Sequence, residues 1–345
     1  MAYEVTINSS GEMDAAEVTA SAIGYSLPIS RINQIVQTKL AEISDEDVYQ
    51  ARSTISEVSE LVHEVLSQSS HPGTADDWHN FAVDIARSDL YDLCCDIIEK
   101  GLELFPKNTD LLADYLQYGI SCGRIDRCKN YYKILSKIPK VRYTWRAYSF
   151  SVNWLQYLWE RSDSEKELEK LQKDMQDLVM AFRNNMPEDE ESYRCEADIF
   201  KLIHNRKEEE RVLRLALAEL KIAPKCALRL ADMLFDRGDY DDALIQIQRS
   251  INDANQTQVS VNEGYLYYLL GLAKMAVVMR NGSSFDEVTA KAIYENFDMA
   301  LQIDKRAAYR KTMKRKAKVI VGKSEIPVDD RFEELAYLMQ MQGDA

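Results

Sequence analysis

The sequence predicts an all-α protein built of stacked helical hairpins. Three observations lead to this fold class. Apolar residues recur at helical spacing along most of the 345 residues, a block of two such stripes is repeated along the chain, and only seven prolines interrupt them. With 46% hydrophobic residues, the chain can bury a large core.

Composition and charge exclude several classes of protein. No stretch approaches the roughly 18 uninterrupted apolar residues of a membrane helix, and the first residues lack the basic and apolar regions of a secretory signal. We therefore expect a cytoplasmic protein. The net charge of −14 argues against nucleic acid as a partner, because affinity for it comes from Lys and Arg neutralising phosphates. The six cysteines include no CxxC pair, which favours buried thiols over disulfides or zinc.

The N-terminal part of the chain divides into two segments. Residues 1–26 are polar and rich in small side chains, so we expect them to be disordered or loosely ordered. Residues 27–70 predict a helical hairpin that ends at the breaker "SQSSHPGT". Three interpretations of this hairpin remain open: a cap on the repeat array, a dimerising element through which the chain would form oligomers, or a separate module that contacts an effector.

The first clear repeat begins at Ala75 and reads "ADDWHNFAVDIARSDLYDLCCDIIEKGLELFPKN". Two apolar stripes flank a polar turn at residues 87–89, and the second stripe ends at Pro106. Small residues in these stripes allow two antiparallel helices to cross closely. The stripes consist of Trp78, Phe81, Ala82, Ile85, Cys94, Ile98 and Gly101.

A second good copy, residues 227–253, reads "ALRLADMLFDRGDYDDALIQIQRSIND" and repeats this arrangement. Its matching residues are Leu230, Ala231, Leu234, Tyr240, Ala243, Ile247 and Ser250. Both copies resemble the tetratricopeptide repeat (TPR), a helix-turn-helix unit of about 34 residues. The resemblance implies a right-handed α-solenoid whose concave groove binds another protein or a peptide.

Four further copies are divergent. Residues 109–142 depart from the pattern at two positions, residues 142–187 carry an enlarged second helix, residues 190–224 align with one insertion, and residues 264–307 contain the insertion "MRNGSSFDEV". Together, about six TPR-like units make residues 75–307 the predicted solenoid domain.

The C-terminal residues 308–345 are predicted to form capping helices. The run "KRAAYRKTMKRKAK", residues 305–318, carries eight basic residues and no acid. As a helix, it would place basic side chains on neighbouring rows that suit an anionic surface. These candidate contacts are Arg306, Arg310, Lys311 and Lys314. The solvated face of a capping helix is the favoured interpretation.

The stretch "YTWRAYSFSVNWLQYLWE", residues 143–160, predicts a helix that is apolar on two opposite arcs. One arc matches the packing positions of a repeat and is expected to face the core: Trp145, Tyr148, Val152, Leu155 and Trp159. The opposite arc contains Tyr143, Phe150, Trp154 and Tyr157, where a surface helix should be polar.

The TPR resemblance gives this second arc a function. In TPR arrays the first helix of each repeat lines the groove, and its second, fifth, ninth, twelfth and thirteenth positions contact the ligand. For a unit that begins at Arg142, the implied groove residues are Tyr143, Arg146, Phe150, Asn153 and Trp154. Aromatic and arginine side chains dominate measured binding energies. The alternative is that the chain itself covers the Tyr143, Phe150 and Trp154 face.

The other units contribute further groove positions through the same resemblance. The earlier units offer Asp76, His79, Val83, Arg87, Asp110 and Gln117. The later units offer Arg194, Lys201, Asp232, Phe235, Asp236, Tyr265 and Tyr268, among others. This mixture of charged and aromatic residues predicts a peptide or helix with apolar anchors and some basic character as the ligand.

The sequence offers no support for catalysis. It contains no GxSxG, P-loop, GxGxxG or HExxH motif, and Pro72-Gly73 separates the three histidines that recur at intervals of eight, His63, His71 and His79. We therefore predict no enzyme activity, no cofactor and no metal site. The favoured function is a scaffold or adaptor that binds a partner protein. The alternative is a peptide-sensing regulator, similar to bacterial pheromone receptors that join an N-terminal helical module to a repeat array.

Overall fold

The computed structural model describes residues 27–41, 48–67, 71–257, 263–281 and 287–303, and every regular element in these ranges is a helix. The all-α fold class is therefore confirmed. The chain divides into two compact units at the junction of Asn185 and Met186. The N-terminal segment 1–26, the capping helices 308–345 and the basic run with Arg306, Arg310, Lys311 and Lys314 lie outside the described residues. Their assignments remain predictions.

Unit 1, which ends at Asn185, consists of four consecutive helical hairpins in its described part. Its helices are α1 (Ile29–Ala41), α2 (Val48–Ser67), α3 (Ala75–Ala86), α4 (Tyr91–Leu104), α5 (Thr109–Ser121), α6 (Ile125–Leu135), α7 (Trp145–Trp159) and α8 (Glu165–Asn185). A single turn of 3-10 helix, Lys140–Arg142, precedes α7. The enlarged second helix expected for the third repeat is α8, with 21 residues.

The first helices of the four hairpins form one row. Helix α1 packs on α3, α3 on α5, and α5 on α7, while each first helix also packs on its own hairpin partner. Helix α2 contacts α4 in the same manner. The N-terminal hairpin therefore continues the packing of the array, and its role as a cap, a dimerising element or an effector-contacting module remains a prediction.

Side-chain caps fix where the first helices begin. The Thr74 hydroxyl accepts a hydrogen bond from the Asp77 backbone N–H, and the Asp77 carboxylate accepts one from the Thr74 backbone, which is a capping box at the start of α3. Asn108 caps α5 and Thr144 caps α7. Each cap satisfies a helix-terminal N–H that would otherwise lack a partner.

A glycine lies where α3 and α4, the two helices of the first TPR-like repeat, cross. A β-carbon at Gly101 would lie 3.0 Å from the Trp78 β-carbon and 3.2 Å from the Leu111 side chain. The crossing of α3 and α4 therefore needs the smallest residue, as the repeat pattern predicts. Trp78 and Phe81 are buried on the opposing face of α3.

Unit 2, which begins at Met186, continues the hairpin pattern. Its described helices are α9 (Glu190–Leu202), α10 (Arg206–Glu219), α11 (Pro224–Arg237), α12 (Tyr240–Thr257), α13 (Glu263–Arg280) and α14 (Glu287–Ile303). Helices α9 and α10, α11 and α12, and α13 and α14 pair as hairpins, and α11 packs on both α9 and α13. One apolar core runs through these helices from Tyr193 to Ala300.

Candidate partner-binding surface

The residue at which α7 begins determines which of its side chains lie on each face of the helix. Thr144 is the N-cap, and its hydroxyl accepts a hydrogen bond from the Ala147 N–H. The helix therefore begins at Trp145, three residues later than the frame that starts at Arg142, because the chain first completes the 3-10 turn Lys140–Arg142. Counted from Trp145, the positions that the TPR resemblance implies fall on Arg146, Ser149, Asn153, Gln156 and Tyr157, of which Ser149 is buried.

Two of the predicted groove aromatics are buried, and their assignment is corrected. Tyr143 is 3% exposed, and its hydroxyl donates a 2.7 Å hydrogen bond to the Leu135 carbonyl oxygen. Trp154 is 1% exposed, with its ring 6.4 Å from that of Tyr132 on α6 and stacked on Tyr157 at 5.6 Å. The chain itself covers both side chains, so neither can contact a partner in this structure.

Trp145 was expected to face the core, but it is exposed. The packing arc is buried at Tyr148, Val152 and Leu155, but Trp145 is 37% exposed. As the first residue of α7, it lies beyond the buried row. The Arg146 guanidinium lies over its ring at 4.8 Å, and the half-buried Phe150 meets it edge-on at 6.2 Å.

Polar side chains join each first helix of unit 1 to the next. Asn33 on α1 donates to Asp84 on α3 at 2.7 Å, His79 Nδ1 on α3 donates to Asp114 Oδ2 on α5 at 2.5 Å, and Asn153 on α7 donates to Gln117 on α5 at 3.1 Å. The Thr144 hydroxyl also donates to Asp110. We call the row formed by these residues and Arg146 the polar face of unit 1.

Asp114 is the most deeply buried charge of this face. Its side chain is 0% exposed, and Oδ1 has no hydrogen-bond partner among the residues that the structure describes. Burial raises the Asp114 pKa, against the hydrogen bond from His79. Burial lowers the His79 pKa, but the hydrogen bond and charge of Asp114 outweigh it, so the His79 pKa lies above its ordinary value of 6.5. Because both pKa values are raised, the pair tends to keep a proton on one of its two side chains.

Arg146 lies beside this pair. Its charge lowers the pKa of both His79 and Asp114, which places it near them. Apart from its contact with Trp145, the guanidinium makes no hydrogen bond or ion pair with any residue in the described part of the chain. A half-buried guanidinium that lies on an exposed tryptophan can donate two hydrogen bonds to a planar acceptor group of a partner.

The predicted residues of unit 2 are less uniform. Arg194 pairs with Glu191 at 2.8 Å, Asp232 accepts a hydrogen bond from the Tyr265 hydroxyl, and Lys201 and Asp236 are exposed. Their assignment to a binding surface remains a prediction.

Two further predicted groove residues, Phe235 and Tyr268, are buried, and their assignment is also corrected. Phe235 is 1% exposed and meets the ring of Tyr240, the first residue of α12, at 5.2 Å. Tyr268 is 2% exposed, with its ring 5.3 Å from Phe297 on α14. In both cases the second helix of the hairpin covers the ring.

Sequence reasoning missed the two buried charge networks. The acid within "LLADYLQ" was the available signal for Asp114, because an isolated carboxylate inside an apolar run needs a partner. In unit 2, Arg229 on α11 donates to Glu209 on α10 at 2.8 Å and pairs with Asp198 on α9 at 2.5 Å. Glu209 is only 1% exposed.

The three spaced histidines do not converge. His71 Nδ1 lies 3.1 Å from the Leu27 carbonyl oxygen, and His63 Nδ1 lies 2.7 Å from that of Ser59. No three metal-ligating side chains cluster within the described ranges. None of the helices in those ranges has the length and apolar character to cross a membrane.

Comparison with known proteins gives matches among solved structures only. No model of a protein family and no curated protein matches the sequence. A TPR protein of Parabacteroides merdae is 14% identical, with a TM-score of 0.46 over 84% of this chain and 99% of its own. A thermophilic TPR protein of Thermus thermophilus is 15% identical, with a TM-score of 0.43 over 54% of this chain and 94% of its own.

One chain of the Cut9–Hcn1 hetero-tetramer of the APC/C is 12% identical, with a TM-score of 0.47 over 89% of this chain and 58% of its own length. Within this chain, the repeated stripes and the row of packed first helices are those of successive helical hairpins. The chain is a divergent array of hairpins similar to tetratricopeptide repeat proteins.

Proposed function

We propose that this protein is a non-catalytic scaffold or adaptor that binds a segment of another protein on the polar face of unit 1. The observation that carries the proposal is Arg146, a guanidinium without an ion-pair partner in the described part of the chain, which lies on an exposed tryptophan. Tryptophan and arginine are the side chains most enriched among residues that dominate binding energy.

The side chains around Arg146 define the chemistry of the partner segment. The guanidinium needs a carboxylate or a carbonyl oxygen, and the exposed Trp145 and half-buried Phe150 suit an apolar side chain next to it. Gln117 and Asn153 have amide groups that can pair with a peptide backbone. We therefore expect a segment that combines an acceptor with an adjacent apolar anchor.

The test compares two arginine variants of the full chain. Partners are captured by cross-linking in an extract of the source organism, and the recovered partner is purified for a direct affinity measurement. Arg146→Ala should weaken binding about 10-fold or more, because loss of a charge-assisted contact costs on the order of 1.5 to 3 kcal/mol. The matched control is Arg127→Ala on α6, an arginine that is 64% exposed, which should change affinity less than about 2-fold.

Unchanged affinity of Arg146→Ala would remove the polar face as the binding site. The nature of the captured ligand distinguishes the two function classes. A folded partner protein supports the adaptor, and a short free peptide supports the peptide-sensing regulator.

A further inference from the structure

Four of the six cysteines lie in the first two TPR-like repeats, which are α3–α4 and α5–α6. Cys94 and Cys95 lie on α4, Cys122 is the C-cap residue of α5, and Cys128 lies on α6. All four are free thiols. The Sγ atoms of Cys95 and Cys122 are only 3.6 Å apart, although 27 positions separate the two residues in the chain.

The position of Cys122 allows this distance to close. A disulfide bond is about 2.05 Å long, so one sulfur must move by roughly 1.5 Å. Cys122 lies after the last turn of α5, and Gly123 follows it with a φ of 79° and nothing within 4 Å of a would-be β-carbon. The end of α5 therefore has room to adjust, whereas Cys95 is held inside α4.

The two thiols differ in access to solvent. Cys95 is 0% exposed and Cys122 is half-buried. The residues that follow Cys122 in the chain line a cleft of about 380 Å³. The lining consists of Glu99, Gly123, Arg124, Ile125, Asp126 and Arg127. Burial raises the pKa of Cys95, and the charge of Arg124 opposes that rise. A small oxidant therefore reaches Cys122 before Cys95, because Cys122 is the more exposed of the two thiols.

We propose that Cys95 and Cys122 form a reversible disulfide when the protein meets a peroxide. The Cys122 thiolate attacks one peroxide oxygen, the O–O bond breaks, and the products are a sulfenic acid on Cys122 and, after proton uptake, water or an alcohol. The Cys95 thiol then attacks the Cys122 sulfur, the S–O bond breaks, and the oxygen leaves as water. The two thiols lose two electrons and two protons, and the peroxide is reduced.

The bond would join α4 to the end of α5, and so the first repeat to the second. This assignment does not rest on the proposed binding function, because it depends only on the sulfur positions and their access. Reduction by a dithiol reagent restores both thiols.

The test treats the native full-length protein with a small excess of hydrogen peroxide and then blocks the remaining thiols with N-ethylmaleimide under denaturing conditions. The number of blocked cysteines should fall from six to four, and dithiothreitol should restore six. Trypsin should release one linked pair, residues 88–100 with residues 108–124, because Cys128 lies in a different tryptic peptide. Its mass should be that of the two peptides minus two hydrogen atoms, plus one N-ethylmaleimide group on Cys94, the cysteine of residues 88–100 that is not in the link.

Two variants assign the sulfurs. Cys94→Ala should leave the linked pair intact, since this neighbour on α4 is not the reacting thiol. Cys122→Ser should abolish the link and keep five blocked cysteines. Circular dichroism of each variant checks that it folds, and the wild-type peptide map gives the result independently of any variant.

Three outcomes would overturn the proposal. The first is a link through Cys94, shown by its loss in Cys94→Ala. The second is over-oxidation of Cys122 to sulfinic acid without a linked peptide. The third is a link that forms only when the protein is denatured before peroxide is added.

Discussion

At the scale of single residues, the His79–Asp114 pair shows how far one side chain depends on another helix. A carboxylate with no exposure is costly unless it is paired, and the donor comes from the preceding repeat, 35 positions earlier. Helical periodicity places Asp114 inside α5, but it does not set the register between α3 and α5. The pair could therefore not be predicted from the sequence, although the acid itself stood out.

The pair gives a pH-dependent stability whose sign can be stated. The His79 pKa is raised above 6.5 in the folded protein, so the titration of His79 contributes stability that is fully present below 6.5 and is lost as pH rises through the folded-state value. We expect the NMR titration of the His79 ring to have a midpoint above 6.5. A midpoint at or below 6.5 would contradict the assigned ion pair.

The control for this titration is Asp114→Asn, which keeps the shape and removes the charge. Burial and the charge of Arg146 both lower the His79 pKa, so without the carboxylate its midpoint should fall below 6.5. A midpoint that does not change would mean that Asp114 does not set the pKa.

Lys140 offers a second titration at the residue scale. Its Nζ donates to the Tyr143 hydroxyl at 2.7 Å and lies 4.1 Å from the centre of that ring. Burial lowers the Lys140 pKa to about 8. Because the unfolded chain keeps its proton up to about 10.4, stability should rise with pH between these two values.

The rate of acetylation of Lys140 reports its pKa directly. Competitive labelling with acetic anhydride, followed by mass spectrometry, should give a rate whose pH profile levels off around pH 8. The same lysine in the denatured chain is the control, and its rate should still be rising at about pH 9.5. If the two profiles coincide, the amine is not desolvated in the folded protein.

At the scale of elements, the sequence predicted the hairpins but not the frame of α7. Apolar periodicity placed its packing arc correctly at Tyr148, Val152 and Leu155. It could not show that a 3-10 turn uses residues 140–142 before Thr144 caps the helix. That local choice depends on a cap hydrogen bond, and it moved Trp154 into the core and Trp145 to the surface.

Two tryptophans on the same helix test this frame. Trp154→Ala should lower the free energy of unfolding by about 3 to 5 kcal/mol, because it empties a buried site between α6 and α7. Trp145→Ala removes an exposed ring and should cost less than about 1 kcal/mol. Urea unfolding monitored by circular dichroism measures both. Equal losses, or a larger loss for Trp145→Ala, would contradict the frame.

At the scale of the whole molecule, stability should be distributed among repeats. Within each unit, the hairpins pack on their neighbours, so the stability of each unit is approximately a sum of repeat and interface contributions. The sequence predicted this architecture well, because the two strong repeats define the pattern for the divergent ones. It did not distinguish the division at Asn185 and Met186 from the other boundaries between repeats.

A cavity-creating substitution in unit 2 tests whether the loss of stability is confined to that unit. Leu234 is 1% exposed within the core that runs from Tyr193 to Ala300, and Leu234→Ala should cost about 2 to 5 kcal/mol there. Hydrogen exchange followed by mass spectrometry should show faster exchange in peptides from α11 to α13, since openings of that core become more frequent. Peptides from α3 to α5 should exchange at the wild-type rate. An equal acceleration in both sets would mean that the chain opens as one cooperative unit, because only global unfolding exposes all helices together.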